Sequence, residues 1–356
     1  MRKQIILLFA AFLLVLPMQA QAAKKVRWKM ATTWSTTLKP LANSGPKLAK
    51  MVEEMTGGNF IIRVVGAEKH KAPLGVLDMV KGGQYEMAHT ASYYWKGKDI
   101  STIFFATFPF GMLADELAAW NWYGGGNELA EEVYKKFGVY HFPGGNSGVQ
   151  MGGWFKKEIK TLDDLKGLKM RIPGLAGEVF ARLGVNVTNI APGELYTSLD
   201  RGTIDALEWV GPAMDLKMGF QKIAPYYYTG WHEPGPDLEF LVNRKAMDSL
   251  SPEYQAILKT AIRAVAADSL TENFTENALA WDKIQTEYPD VHLKTFPAPV
   301  LKAMKKATDE VMDGYAAKDP EFKKIYESQK AFMKKMRAWS NVSTREVLNT
   351  AELVGE

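Results

Sequence analysis

The pattern of apolar and polar positions along the chain changes period several times, and each change marks an element. After a basic start at Arg2 and Lys3 comes the apolar run IILLFAAFLLVLP, then the small-residue stretch Ala20-Gln21-Ala22. That run is too short for a comfortable membrane span, and the order basic, apolar, small is that of a cleavable export signal over residues 1–22. From Val26 to Thr33 apolar and polar residues partly alternate, which predicts a strand. Leu41, Leu48, Met51, Val52 and Met55 then fall on one helical face, stopped by Thr56-Gly57-Gly58. Asn59–Gly66 predicts a second strand, residues 74–81 a helix ending at Gly82-Gly83, and YEMAHTAS a third, short strand. Strand, helix, strand, helix, strand is an α/β unit with a mostly parallel sheet.

A Trp-rich helix near Asp115–Tyr123 ends in Gly124-Gly125-Gly126-Asn127. A second α/β unit is expected from about Val149. Its strands are GVQMGGWF, Leu168–Ile172, Val185–Ile190 and Asp205–Val210, with helices near Gly177–Leu183 and Glu194–Leu199. Asp237–Arg244 reads as a strand returning to the first unit. From Pro252 the period becomes helical, interrupted by the strand-like VHLKTF (Val291–Phe296). Leu301, Met304, Ala307, Val311 and Tyr315 mark one late helix; Phe322, Ile325, Tyr326, Phe332, Met333, Met336 and Trp339 mark another. Two α/β units would form a two-lobed clamp, with the ligand between them at the carboxyl ends of strands. The expected division is a first lobe over 23–147 with a returning part near 237–280. The second lobe covers 148–236 with part of 285–300, and long C-terminal helices fill 300–356.

Composition narrows the function by exclusion. Without residues 1–22 the chain has 334 residues, two domains by length, and its formal charge falls from +4 to +2. That leaves no basic footprint for nucleic acid. There is no Cys, so disulfides, thiolate metal sites, Cys nucleophiles, iron–sulfur clusters and lipid attachment are all absent. YGGGN has no Gly-Lys-Ser/Thr after it, GVQMGG is no dinucleotide fingerprint, and no Gly-x-Ser-x-Gly elbow exists. His70, His89, His141, His232 and His292 have no metal-like spacing and read as surface or satisfied core residues. HEPG (His232–Gly235) lacks the second His of a zinc-protease helix.

Three segments carry the chemistry that remains. Gln150 lies in an apolar, Gly-rich stretch; Arg171 precedes Ile-Pro-Gly near a strand end; Glu208 and Trp209 end another strand ahead of Val-Gly-Pro. Singly, Gln150 reads equally as an ordinary strand residue, Arg171 as a surface cation and Trp209 as core. A carboxylate such as Glu208 in apolar surroundings costs several kcal/mol (about 3–5) unless a cation or donors satisfy it. Together the three offer a planar cationic fork for a carboxylate and hard oxygen donors for sodium or calcium.

The segments LKGLKMRIPG, GELYTSLDRGTIDALEW and the initial WKMATTW resemble the solute receptors of tripartite ATP-independent periplasmic (TRAP) transporters, over nearly all of the chain beyond residue 22. GVQMGGWF, IDALEWVGP and the long helical C-terminus resemble the branch that binds 2-oxo monocarboxylates or lactate with a cation. The resemblance implies that Arg171 grips the ligand carboxylate, with Tyr94 or its neighbour Tyr93 beside it. It places Gln150, Glu208 and the main chain of Trp209 on the cation, Na⁺ or Ca²⁺, with Trp209 also against the ligand. Glu233, by position, is a further acidic ligand, and Asn146 a donor to the solute. Trp34, Trp95, Trp154 and Trp209 are expected to line the cleft. The resemblance also implies a periplasmic location, docking on a membrane permease without an ATPase, and a homodimer through the apolar face of the last helices. The other readings are a receptor of the same kind for a dicarboxylate or other anion without a cation, a signalling receptor, and a periplasmic enzyme.

Overall fold

The computed structural model describes residues 25–355 except Asn189 and Ala191. The export-signal reading of 1–22 therefore lies outside the described residues. Two sheets organise the chain. The first has the order β2 (Phe60–Val65), β1 (Val26–Thr32), β3 (Met87–Thr90), β10 (Asp237–Asn243), β4 (Val139–Asn146). The second has the order β11 (His292–Lys294), β9 (Tyr226–Tyr228), β5 (Gly153–Phe155), β8 (Ala206–Leu207), β6 (Lys169–Arg171), β7 (Asn186–Thr188).

Each sheet is mostly parallel, as expected, with a single reversed strand, β10 in the first and β5 in the second. β1 pairs in parallel with β2 and β3, but β10 runs antiparallel to both β3 and β4. In the second sheet β6, β7 and β8 are parallel, β11 is parallel to β9, and β5 is antiparallel to both neighbours. The return of 237–243 to the first sheet was legible. The strand β4 was not, because Pro143-Gly144-Gly145 reads as a breaker. The glycines are needed in place: a Cβ on Gly144 would lie 2.7 Å from the Glu239 backbone, and Gly145 holds φ at 132°. A register shift at Leu238/Glu239 absorbs the irregularity. The helix Gly126–Lys135, the helix Pro212–Met218 and β9 also went unread.

GVQMGGWF is a strand only over its last three residues, so Gln150 sits in irregular backbone and not in a strand. The segment from Asp205 to Val210 shrinks to a two-residue strand, which puts Glu208 immediately past a strand end.

Ser251 caps the helix Pro252–Glu287 by accepting from the Tyr254 N–H, with Pro252 at its first position. Its Tyr254, Leu258, Ile262 and Val265 pack into the core of the first sheet, and its Ile284 into a core of the second. The helix Ala298–Ala316 packs on Gly174–Arg182. The helix Pro320–Val342 buries Phe322, Ile325 and Tyr326. Beyond them Phe332 and Met333 are half-buried, whereas Trp339, Val342, Val347, Leu348, Leu353 and Val354 are exposed. Among the described residues, no helix is long and apolar enough to cross a membrane.

Candidate functional site

The site begins with a register. β6 and β8 are parallel neighbours with Arg171 opposite Leu207, and the Glu208 N–H donates to the Arg171 carbonyl at 3.0 Å. Both residues thereby arrive at the carboxyl ends of adjacent parallel strands, where α/β sheets hold ligands. Arg171 Nη1 donates to the Glu208 carbonyl and lies 3.2 Å from Glu208 Oε2. The indole of Trp209 lies 5.4 Å from the guanidinium carbon. Among the described residues the side-chain bonds of Arg171 are all on Nη1, and Nε, although buried, has no partner. The Nε–Nη2 edge is therefore the open side of the fork, the edge that matches a carboxylate bidentately.

Gln150 is brought in by its backbone. Its N–H donates to the Glu233 carbonyl at 3.0 Å, Met151 N–H to the Val210 carbonyl at 3.0 Å, and Gly152 N–H to Tyr228 at 2.7 Å. Gly230 permits this approach: a Cβ there would overlap the Gln150 carbonyl oxygen. The Gln150 amide nitrogen donates to Ser147 Oγ at 2.9 Å, which leaves Oε1 without a partner.

Glu233 and its neighbour His232 complete the cluster. One ligand atom each from Glu208, His232 and Glu233 lie within 4.8 Å of one another, and all three side chains are buried. Glu208 Oε1, Glu233 Oε2 and both His232 nitrogens have no hydrogen-bond partner, and His232 Nε2 stands 3.4 Å from Glu208 Oε1. Burial pushes Glu208 up to about 8, against the pull of Arg171. Burial, and then the Glu208 charge, push Glu233 up to about 8. Burial pushes the His232 imidazole down to about 4. Two clustered carboxyls with one guanidinium lack countercharge; Glu208 and Glu233 each leave an oxygen orphaned, and so does Gln150, whose backbone is bonded to that of Glu233. This donor set fits a cation bound through oxygen.

Tyr93 and Tyr94 follow the carboxyl end of β3 in the short turn Ser92–Trp95, edge to face at 4.8 Å. Burial raises both hydroxyl pKa values, and both feel the charges of Arg171, Glu208 and Glu233. Asn146, at the end of β4, is a correction. Its amide nitrogen donates to the Gly235 carbonyl at 3.0 Å and to Asp237 at 2.6 Å, and its oxygen accepts from Gly148 N–H at 2.8 Å. A fully engaged amide holds the loop leading to Gln150 and has nothing left to donate to a solute. Two of the four expected lining tryptophans have their indole N–H engaged within the fold. Trp95 Nε1 donates to Glu239 at 2.7 Å, and Trp154 Nε1 donates to Asp215 at 2.9 Å while stacking on Tyr227. Trp34 and Trp209 keep unpartnered indole N–H groups. His232 was missed because a lone His has no spacing to betray it; the adjoining Glu233 was the nearest signal.

The family model described as bacterial extracellular solute-binding protein, family 7, matches residues 30–319. A monocarboxylate 2-oxoacid-binding periplasmic protein of Nostoc sp. is 44% identical over 327 residues, covering 92% of this chain and 89% of that protein. A TRAP periplasmic solute binding protein of Colwellia psychrerythraea, solved with bound calcium and pyruvate, is 52% identical, covers 92% of this chain and 100% of its own, and superposes with a TM-score of 0.91. Another from Pseudoalteromonas atlantica T6c, solved with bound sodium and pyruvate, is 54% identical, covers 92% and 99%, and gives a TM-score of 0.90. The chain belongs to this family of extracellular solute-binding proteins, the receptors of TRAP transporters.

Proposed function

We propose that this chain is a periplasmic receptor that binds a small 2-oxo or 2-hydroxy monocarboxylate, such as pyruvate or lactate, together with a bridging cation, and delivers it to a membrane permease. One observation carries the reading: two clustered, buried carboxyls, Glu208 and Glu233, each with an unpartnered oxygen, and a buried Arg171 bonded to Glu208 with its Nε unpartnered. The relatives that hold pyruvate with calcium or sodium support it. In this reading Arg171 clamps the solute carboxylate, and Tyr94, with Tyr93 beside it, adds a hydroxyl. Gln150 Oε1, Glu208, Glu233 and the Trp209 main chain hold the cation, Na⁺ or Ca²⁺. The cation also meets the carboxylate and the 2-oxo or 2-hydroxy oxygen, so solute and metal bind as one unit. The Trp209 indole packs against the solute.

The family is one of receptors, and we read this member as binding without turnover. Residues 1–22 act as an export signal cut near Ala22. The lobes over 23–147 and 148–236 close on the ligand because Arg171 and the cation make contacts only in the closed form. The exposed apolar side chains from Trp339 to Val354 fit a second copy of the chain, hence a homodimer.

The test is calorimetry on protein unfolded, stripped of ligand and refolded. Pyruvate, lactate and succinate are titrated with Na⁺, with Ca²⁺ and with chelator in sodium-free buffer. Monocarboxylate binding that needs the cation supports the proposal. Succinate binding indifferent to the cation would overturn the branch, and conversion of the bound acid would overturn the receptor reading.

A further inference from the structure

Sodium and calcium are satisfied by oxygen alone, and the proposed site already supplies oxygen from Gln150, Glu208 and Glu233. His232 is surplus to that chemistry. Its ring is fully buried, and neither nitrogen has a hydrogen-bond partner. A neutral imidazole carries one donor and one lone pair, and leaving a buried polar group unpaired costs about 1–3 kcal/mol. The backbone on either side of His232 is also held in place. Trp231 packs on Phe180 at 5.0 Å and on Phe110 at 5.7 Å, and its carbonyl accepts from the Phe110 N–H at 3.0 Å. The Glu233 carbonyl accepts from Gln150.

The other histidines differ. His70 Nε2 lies 2.8 Å from the Thr32 carbonyl, and His89 Nε2 lies 3.0 Å from that of Gly144. His141 is likewise buried with both nitrogens unpartnered, but it faces a single acid, Glu239 at 3.5 Å, whose oxygens already accept from Trp95 and Tyr134. His292 is exposed. Among the described residues only His232 joins two acids in a cluster of metal-ligand geometry.

An imidazole nitrogen beside two carboxylates is a donor set for first-row divalent metals, which prefer mixed nitrogen and oxygen ligands. Charge favours the same choice. A divalent ion and Arg171 balance Glu208, Glu233 and a monocarboxylate when both acids are ionised. A monovalent ion leaves one negative charge in the buried site. We propose that the site also takes a borderline divalent metal, between Mn²⁺ and Zn²⁺, with a ring nitrogen of His232 as a ligand alongside Glu208 and Glu233. The location rests on the function proposed above; the ligand class does not follow from it. The solute's carboxylate and 2-oxo oxygen complete the coordination as a chelate.

The experiment uses the full chain, stripped of metal by chelation, with pyruvate present. Binding of Co²⁺ and of Ca²⁺ is measured by calorimetry and by competition, in the wild type and in His232→Phe, with thermal melts to establish folding. The wild type should take up one Co²⁺ per chain that Ca²⁺ displaces. In His232→Phe the ratio of Co²⁺ to Ca²⁺ affinity should fall at least about tenfold, the lower end of what losing even a supporting partner costs. Pulsed electron paramagnetic resonance of Mn²⁺ in the wild type should show coupling to one imidazole nitrogen, a result that needs no variant. An unchanged affinity ratio, or Mn²⁺ without nitrogen coupling, overturns the proposal. Refusal of Co²⁺ by protein that takes Ca²⁺ or Na⁺ with pyruvate overturns it too, and leaves the proposed function standing. Failure to take up any cation overturns both.

Discussion

Two buried acidic centres in this protein look alike in burial and differ in what surrounds them. Glu239, in the middle of the first sheet, is fully buried and pushed up to about 7 by burial. One of its oxygens accepts from Trp95 Nε1 and the other from the Tyr134 hydroxyl. Glu208 is equally buried and pushed up to about 8, but its Oε1 has no donor. The neighbouring Glu233 has an unpartnered oxygen too. Burial alone therefore does not mark a site. A carboxyl completed by neutral donors is part of the fold, while one left incomplete beside a cationic fork is waiting for something from outside.

The comparison can be broken most forcefully at Arg171. Arg171→Met keeps the volume and removes the fork, leaving the solute carboxylate with no charged partner. Losing one member of a buried charge pair costs about 2–5 kcal/mol, so pyruvate affinity measured by calorimetry should drop roughly 30-fold or more. An affinity within threefold of wild type would remove Arg171 from the site.

Next in size is the exchange of the two acids. Glu208→Gln should abolish the dependence of pyruvate binding on Na⁺ or Ca²⁺ and weaken binding about tenfold or more, at little cost to the melting temperature. Glu239→Gln should do the reverse. Cation dependence persists, while an amide facing two donors unbalances a buried network and lowers stability by about 1–3 kcal/mol, measured by urea unfolding. If Glu239→Gln erased the cation response instead, the distinction between the two centres would collapse.

A smaller effect is expected at Gly230. A methyl group in Gly230→Ala displaces the Gln150 carbonyl and with it the orphaned amide oxygen. Cation affinity should fall several-fold, about 1 kcal/mol, and the thermal midpoint should fall too, because the overlapped atom is backbone. Equal titration curves would show that Gln150 does not touch the cation.

The smallest effect is the pH profile of the completed centre. The carboxyl of Glu239 titrates near 7 in the fold and near 4.3 unfolded, so between those values the folded state binds more protons. Stability then falls as pH rises through that window and levels off above it. The urea midpoint of ligand-free protein should be higher at pH 5 than at pH 7.5, and Glu239→Gln should flatten part of that slope. A slope untouched by the substitution would deny Glu239 its raised value.

Much of the site was legible because its residues violate their surroundings. Glu208 in an apolar run before Gly-Pro, and Arg171 before Pro-Gly, are expensive placements visible in one dimension. Gln150 was singled out on the wrong element, since the apolar and glycine positions around it, Gly148, Val149, Met151 and Gly152, mimic a strand that the backbone does not form until Gly153. Asn146 was misassigned because an amide that holds a loop and one that holds a solute look identical in sequence. His232 was passed over since one of its two acids, Glu208, comes from a distant strand end, and β4 since its glycines serve a close approach invisible without Glu239 opposite. Gln150 apart, what failed to show was the property of groups distant in sequence.

The helix Pro252–Glu287 has 36 residues, about 54 Å at 1.5 Å each, and is rooted in the hydrophobic interior of both sheets. A stiff rod embedded at both ends removes sliding along its axis from the mechanical freedoms of the molecule. Any opening between the two halves must bend or twist that rod. The closure proposed above would therefore carry a restoring torque, that of a sprung hinge and not of two bodies on a slack tether.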